Sequence, residues 1–150
     1  MDRRYEMVRP AAGSAAAEAL ALRGLAVLVG GPERAPGVPL RGNIDEIREK
    51  LDGFLAYART IRLDPHRQVL ALTRHHTGED IIAGMCLWVP SPGRTAMLFG
   101  PALSDFPEAA AATQAAIVEA QHDARAHGVA LVQAMMEPAD AAGKTVFAAA

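Results

Sequence analysis

The segment from Gln68 to Gly100 constrains the fold most, because its pattern is that of three β-strands in direct succession. Strand-forming residues fill three runs, Gln68–His75, Ile81–Val89 and Thr95–Gly100. Turn residues separate the runs: Thr77–Asp80 precede the second, and Pro90–Gly93 precede the third, with proline and glycine in the order that a type II turn favours. The sequence therefore predicts a meander of three strands.

An alanine-rich helix and a further strand are predicted after the meander. The helix covers residues 106–127, and Asp105 with Glu108 has the spacing of a capping box at its start. Gly128 fits the left-handed position that commonly follows a helix end. Val129–Met136 is an apolar run suited to a buried strand. A strand, helix and strand after a meander predict a mixed sheet.

Upstream of the meander, the first elements are a strand and a helix. Tyr5–Pro10 has the pattern of a short strand, and Ser14 can cap a helix that runs through Ala15–Leu22. Residues 30–43 contain four glycines and three prolines. Such a composition is typical of a loop, and we expect one here.

The clearest helix begins after Asn43, whose side chain can cap it, with Glu46 three residues later as in a capping box. Its apolar residues repeat at helical spacing on one face: Ile44, Ile47, Leu51, Phe54, Leu55, Ala58 and Ile61. Pro65 ends this pattern. With a short last helix from Asp140 to Ala150, the predicted order is β-α-α-β-β-β-α-β-α. This order predicts an α/β fold with a mixed sheet and helices on both faces.

Composition and charge argue against several classes of function. The formal net charge is -2 and no Lys/Arg-rich block is present, so neither nucleic-acid binding nor a polybasic membrane anchor is expected. No apolar run approaches the ~18 residues of a membrane-spanning helix, and Glu18 and Arg23 interrupt the region where a signal peptide would lie. The single cysteine, Cys86, cannot form an internal disulfide, which favours a reducing compartment. We therefore expect a cytoplasmic protein.

The order of elements resembles the N-acetyltransferase domain of the GNAT superfamily over about residues 5–150. Many GNAT domains follow their fifth strand with an asparagine, then a helix with a tyrosine seven residues later, then a Gly-Phe pair. Here Asp140 and Phe147 stand at the first two places, and Ala150 comes just before the third. Two more strands would follow in the family. The resemblance thus implies one GNAT-like domain over residues 1–150, incomplete at its C-terminus.

The resemblance also implies a site for acetyl-coenzyme A at the end of the third meander strand. GNAT domains carry Arg/Gln-x-x-Gly-x-Gly/Ala after this strand, and backbone N–H groups there bind the pyrophosphate. In this sequence the implied contacts are four residues, the backbone groups of Leu98, Phe99 and Gly100, together with Ser104 in place of the motif arginine.

The loop that follows departs from the family motif. Pro101–Glu108 contains no glycine that would allow close approach of a phosphate, and Pro107 has no N–H to donate. Asp105 and Glu108 bring negative charge to the place where an anion would bind. Acetyl transfer by this segment alone is therefore expected to be poor.

Two functions remain open. In the first, the domain is an N-acyltransferase in which an amine attacks the thioester of acetyl-coenzyme A; no catalytic residue is assigned, since Phe147 has no proton to give where many members have a tyrosine. In the second, it is a non-catalytic GNAT-like module. Such a module would pack against an active acetyltransferase domain, or form a homo-oligomer through an open sheet edge.

Other motifs are weaker. Gly143-Lys144-Thr145 resembles the end of a phosphate-binding loop, but Pro138 stands where the first glycine of that loop should be. His122 and His127 are five residues apart, not the four that align two ligands on a helix, so no metal site is predicted. Cys86 lies inside an apolar strand, which predicts a buried, inert thiol.

Overall fold

The computed structural model describes residues 5–10, 13–39, 43–61, 63–101, 109–134 and 141–149. In chain order its elements are β1 (Glu6–Val8), α1 (Ala15–Gly30), β2 (Glu33–Ala35), β3 (Val38–Pro39), α2 (Ile44–Thr60), β4 (Gln68–Arg74), β5 (Asp80–Ser91), β6 (Thr95–Phe99), α3 (Ala110–Ala126), β7 (Leu131–Ala134) and α4 (Ala141–Ala149). None of the helices in these ranges has the length and apolarity that a bilayer span requires.

Five strands form one mixed sheet in the order β1-β4-β5-β6-β7. The pairs β1–β4, β4–β5 and β5–β6 are antiparallel, and β7 is parallel to β6. The predicted meander is therefore confirmed as β4-β5-β6, and α3 connects the parallel pair β6 and β7. The predicted α/β class with a mixed sheet is confirmed.

Helices cover both faces of the sheet, and the strands alternate their side chains between them. Leu70, Met85 and Leu87 belong to a core cluster with α1 and α2. Cys86 and Trp88, the alternate residues of β5, belong to the cluster on the α3 face, which α4 also joins. Alternation with period two on a strand buried on both sides explains the nearly continuous apolar run in the sequence of β5.

The predicted helix caps at Ser14 and Asn43 are confirmed. Ser14 Oγ accepts a hydrogen bond from the N–H of Ala17 at 3.1 Å, and Asn43 Oδ1 accepts one from the N–H of Glu46 at 2.8 Å. Gly128 follows the end of α3 with a φ of 87°, the left-handed conformation predicted for it.

The start of α3 and the cap of α4 were predicted on residues outside the described ranges. Asp105, Glu108 and Asp140 all lie there. Within the described residues α3 begins at Ala110, and Ala109 before it makes no side-chain capping bond.

The loop predicted for residues 30–43 contains an antiparallel hairpin, β2–β3. Helix α1 also runs on to Gly30, beyond the Ala15–Leu22 core of the prediction. The glycines and prolines of this segment interrupt the alternating pattern from which a strand is predicted, so the sequence did not indicate the hairpin. Contacts of Glu33 with distant parts of the chain hold the hairpin in place.

The prediction of a buried strand at Val129–Met136 is wrong for the part that is described, β7. Leu131 is 55% exposed and the following residues alternate between partly buried and exposed. Among the described strands β7 has only β6 as a neighbour. An apolar run cannot distinguish a central strand from one at a sheet edge, because the difference lies in what packs on it.

Candidate functional site

The candidate site lies at the carboxyl end of β6, beside β7. Four pairs join these parallel strands, from Thr95 opposite Leu131 to Leu98 opposite Ala134. Phe99 still pairs with Leu87 of β5 on the other side. Pairing with β5 thus holds the main chain of β6 as far as Phe99, and the described residues of β7 lie beside β6 as far as Ala134. In open α/β sheets, ligands bind at the carboxyl ends of adjacent parallel strands.

Side chains on either side of this backbone anchor it to both cores. Leu98 is buried in the cluster on the α3 face, and Phe99 packs against the cluster on the α1 and α2 face. Their side chains are therefore engaged in packing. The side chain of Leu98 is thus inaccessible to a ligand, and that of Phe99 is only partly accessible.

Gly100 lies between the main chain of β5 and a ring from α4. A methyl group built at its Cα would lie 3.5 Å from the carbonyl oxygen of Met85 and 3.5 Å from Cζ of Phe147. Both are ordinary van der Waals distances, so the site has room for a small side chain. The structure therefore places Gly100 and Phe147, two residues that the sequence related to the site through separate motifs, close to each other.

Phe147 is half-buried and packs against the core cluster on the α3 face, next to the buried Val146. Its placement is that of a core contact at the border of the candidate site. The phenyl ring has neither a donor nor an acceptor. It can shape the space over Gly100, but it cannot supply a proton.

Cys86 is the nearest thiol to this end of β6, and it is fully buried. Burial raises the pKa of the thiol to about 12, against a smaller lowering by a hydrogen bond with the backbone of Phe99. The thiol of Cys86 is therefore protonated at neutral pH, whereas only the thiolate form of a cysteine acts as a nucleophile. The prediction of a buried cysteine is confirmed.

Glu33 is a buried carboxylate that the sequence did not single out, and its surroundings exclude it as a general base. Arg23 donates to both of its oxygens, from Nη2 at 2.6 Å and from Nε at 3.1 Å. The N–H groups of Gly37 and Ile82 each donate to it at 2.8 Å. With two donors on each oxygen, Glu33 has a structural role. The only sequence feature that could have pointed to Glu33 is its position as a charged residue inside a Gly/Pro-rich stretch.

Several predicted positions fall outside the described residues or form no site. Ser104, the remaining member of the implied cofactor set, lies in the range that is not described, as does Pro138. Lys144 and Thr145 are exposed on α4. No group of three or more histidine, cysteine or acidic side chains within the described ranges is arranged to hold a metal ion.

Comparisons of the chain with protein-family models, with curated proteins and with solved structures gave no match.

Proposed function

We propose that this chain is a GNAT-type domain that binds acetyl-coenzyme A at the carboxyl end of β6 and takes part in acyl transfer to an amine. One observation carries the proposal: β6 and β7 are adjacent and parallel, and α3 connects them. That arrangement would bring the backbone of Phe99 and Gly100 to the edge along which the thioester arm of the coenzyme would lie. The α/β class with a mixed sheet, with the described strands in the order β1-β4-β5-β6-β7, supports the same proposal.

In the proposed reaction, the amine nitrogen attacks the thioester carbonyl carbon. A C–N bond forms, the C–S bond breaks, and coenzyme A leaves as a thiolate. The amine loses a proton and the thiolate gains one. Since Phe147 cannot donate, the thiolate takes its proton from solvent, which would make this chain a slow transferase.

Binding is tested by isothermal titration of the chain with acetyl-coenzyme A, using Gly100→Leu as the disrupting variant. Gly100 does not have a positive φ, so leucine adds bulk over the site without backbone strain. We expect the variant to bind at least about tenfold more weakly than the parent chain, a loss of about 1.4 kcal/mol.

Gly53→Leu is the matched control. Gly53 lies on α2 with open space around its Cα, so leucine there adds the same side chain away from β6. No heat of binding by the parent chain, or equal weakening by both variants, would contradict the proposed coenzyme site.

Phe147→Tyr should increase the rate of acetyl transfer. A positioned general acid typically contributes about 10²–10⁴-fold, and a hydroxyl added to this ring lies at the border of the site, so we expect a rise of about tenfold. The rate is measured as coenzyme A released with a mixture of primary amines as acceptors. Phe147→Leu, which removes the ring and adds no hydroxyl, serves as control. An increase with leucine, or none with tyrosine, argues against this role.

A non-catalytic module is the second candidate, and the position of the Phe147 ring close to Gly100 favours it. A ring without a proton to give, placed where it would meet a methyl group built at Gly100, is consistent with a site that is closed rather than used. The titration separates the two candidates, since a module of this kind would not bind acetyl-coenzyme A.

A further inference from the structure

A separate cavity of about 620 Å³ lies on the side of the sheet covered by α1 and α2. Helix α1, the β2–β3 hairpin and α2 form its walls, and none of Leu98, Phe99, Gly100 or Phe147 lines it. Its volume is within the range of roughly 300–1,000 Å³ that is usual for small-molecule sites.

The walls of the cavity are largely apolar. They are formed by five side chains: Ala26 of α1, Val38 and Pro39 of β3, and Ile47 and Leu51 of α2. Ile47 and Leu51 are four residues apart, so they lie on one face of α2. A ligand that covers these walls needs an apolar body.

Close packing fixes the walls in place. A methyl group built on Gly30, at the end of α1, would lie 2.8 Å from Cβ of Pro39 and 3.2 Å from Cδ1 of Ile47. The three elements therefore meet at this glycine. Glu33 in turn ties the hairpin to Arg23 of α1 and to Ile82 of β5. The cavity is formed by the fold itself and does not require a ligand to assemble it.

Two arginines at the rim of the cavity have no acidic partner among the described residues. Arg34 follows the inward-pointing Glu33 on β2, and Arg48 lies on α2 one residue after Ile47. Four other described arginines each have a carboxylate within 4 Å, namely Arg9, Arg23, Arg67 and Arg74, whereas Arg59, Arg94 and Arg125 have none among the described residues and do not line the cavity. One unpaired surface arginine is ordinary, but two on one apolar cavity form a positive rim.

Asp45 is the only acidic side chain among the described residues that line the cavity. Two positive charges against one negative charge favour a ligand with a single negative charge. The guanidinium groups of Arg34 and Arg48 can each donate two parallel hydrogen bonds to a carboxylate.

We propose that this cavity binds a small organic monoanion, namely a carboxylate attached to an apolar body, with Arg34 and Arg48 holding the carboxylate. The apolar body lies against the α1, β3 and α2 walls. This site is independent of the coenzyme site at β6.

Three ligands of the same shape test the requirement for charge: 4-phenylbutyrate, 4-phenylbutanol and 4-phenylbutylamine. Titrated into the parent chain, the carboxylate should bind at least about tenfold more tightly than the alcohol, since hydrogen bonds between charged groups are stronger than neutral ones. The amine should bind most weakly. Inorganic phosphate alone should also bind weakly, because it leaves the apolar walls uncovered. Equal binding of carboxylate and alcohol, or tight binding of phosphate, overturns the proposal.

Charge variants locate the binding to the rim. Arg34→Gln and Arg48→Gln should each weaken 4-phenylbutyrate binding about fivefold, and Asp45→Asn should strengthen it about twofold, as expected for exposed charges. Arg59→Gln, on α2 but outside the cavity, is the matched control and should have no effect. A change with Arg59 as large as with Arg48 would show non-specific attraction and refute the site. Gly100→Leu should leave this binding unchanged, which separates failure here from failure of the proposed function.

Discussion

Replacing Glu33 by glutamine is expected to lower the free energy of unfolding by about 3 kcal/mol, the low end of the cost of breaking a buried ion pair. Glutamine has nearly the shape of glutamate, so the loss does not come from a cavity. Oε1 accepts from Nη2 of Arg23 and from the N–H of Ile82. Oε2 accepts from Nε of Arg23 and from the N–H of Gly37. In either orientation of the amide, its NH₂ group faces two donors.

The position of this carboxylate makes the effect large. Its side chain is only 1% exposed, while Arg23 is 34% exposed and also donates to the backbone oxygen of Asp80. The hydrogen bonds with Glu33 raise the pKa of Arg23 above its usual value. Removal of the carboxylate charge therefore leaves a permanently charged guanidinium half-buried, with one of its N–H groups and one backbone N–H lacking an acceptor.

Urea and thermal unfolding of the chain measure the effect. A loss of about 3 kcal/mol corresponds to a fall in Tm of about 6–12 °C for a chain of this length. Glu119→Gln is the matched control, because Glu119 pairs with Arg9 on the surface, and exposed pairs contribute about 0–1 kcal/mol. If Glu33→Gln unfolds within 1 kcal/mol of the Glu119→Gln control, the structural role assigned to Glu33 is refuted.

The parts of the fold that the sequence predicted correctly are those that depend on near neighbours in the chain. The caps at Ser14 and Asn43 each bond an N–H three residues away. The meander follows from turns between strands that are adjacent in sequence. The turn at Gly93, which has a φ of 80°, follows from a proline-glycine pair. Local steric preferences determine all of these features.

The features that the sequence did not reveal depend on residues far apart. Glu33 contacts Arg23 ten residues earlier and Ile82 forty-nine residues later, and these contacts hold a hairpin where composition predicts a loop. The same holds for the exposed Leu131, whose environment depends on the strand order. Composition reports what a segment can form alone, and tertiary contacts decide what it forms in the fold.

The candidate site divides in the same way. Leu98, Phe99 and Gly100 could be placed at the end of β6 because they follow directly from the strand pattern. The closeness of Phe147 to Gly100 could not be predicted, since it depends on where α4 packs in the fold. The cavity with Arg34 and Arg48 was missed entirely, because its walls come from the segment that was predicted to be a loop.

The position of α3 depends on a close contact with β5, which explains its alanine-rich sequence. Four alanines at helical spacing on its inner face are completely buried: Ala112, Ala116, Ala120 and Ala124. On the sheet side, Gly84 of β5 lies directly beneath Ala112 and Thr113. Small residues on both surfaces let the helix backbone approach the strand. This matters for the proposed site because α3 is the connection that makes β6 and β7 parallel neighbours.

Gly84→Ala should therefore destabilise the chain by about 3 kcal/mol, at the upper end of the usual cost of overpacking a core. The added methyl would lie 2.5 Å from the backbone nitrogen of Thr113 and 2.7 Å from the carbonyl carbon of Ala112. These are backbone atoms of a helix, so the clash cannot be relieved by rotation of a side chain. Helix α3 must move away from the sheet, which opens the core cluster on its face.

The matched control is Gly53→Ala on α2, where the added methyl meets nothing within 4 Å. Alanine in an exposed helix interior is favoured over glycine by up to about 1 kcal/mol, so the same substitution should raise stability there and lower it at Gly84. Urea unfolding of both variants measures whether the free energy of unfolding rises, as expected for Gly53→Ala, or falls, as expected for Gly84→Ala. A Gly84→Ala chain as stable as the parent would mean that α3 can settle further from β5 at no cost, and that the alanine face does not require close approach. A destabilised variant would also be expected to bind acetyl-coenzyme A more weakly, because movement of α3 displaces the connection between β6 and β7.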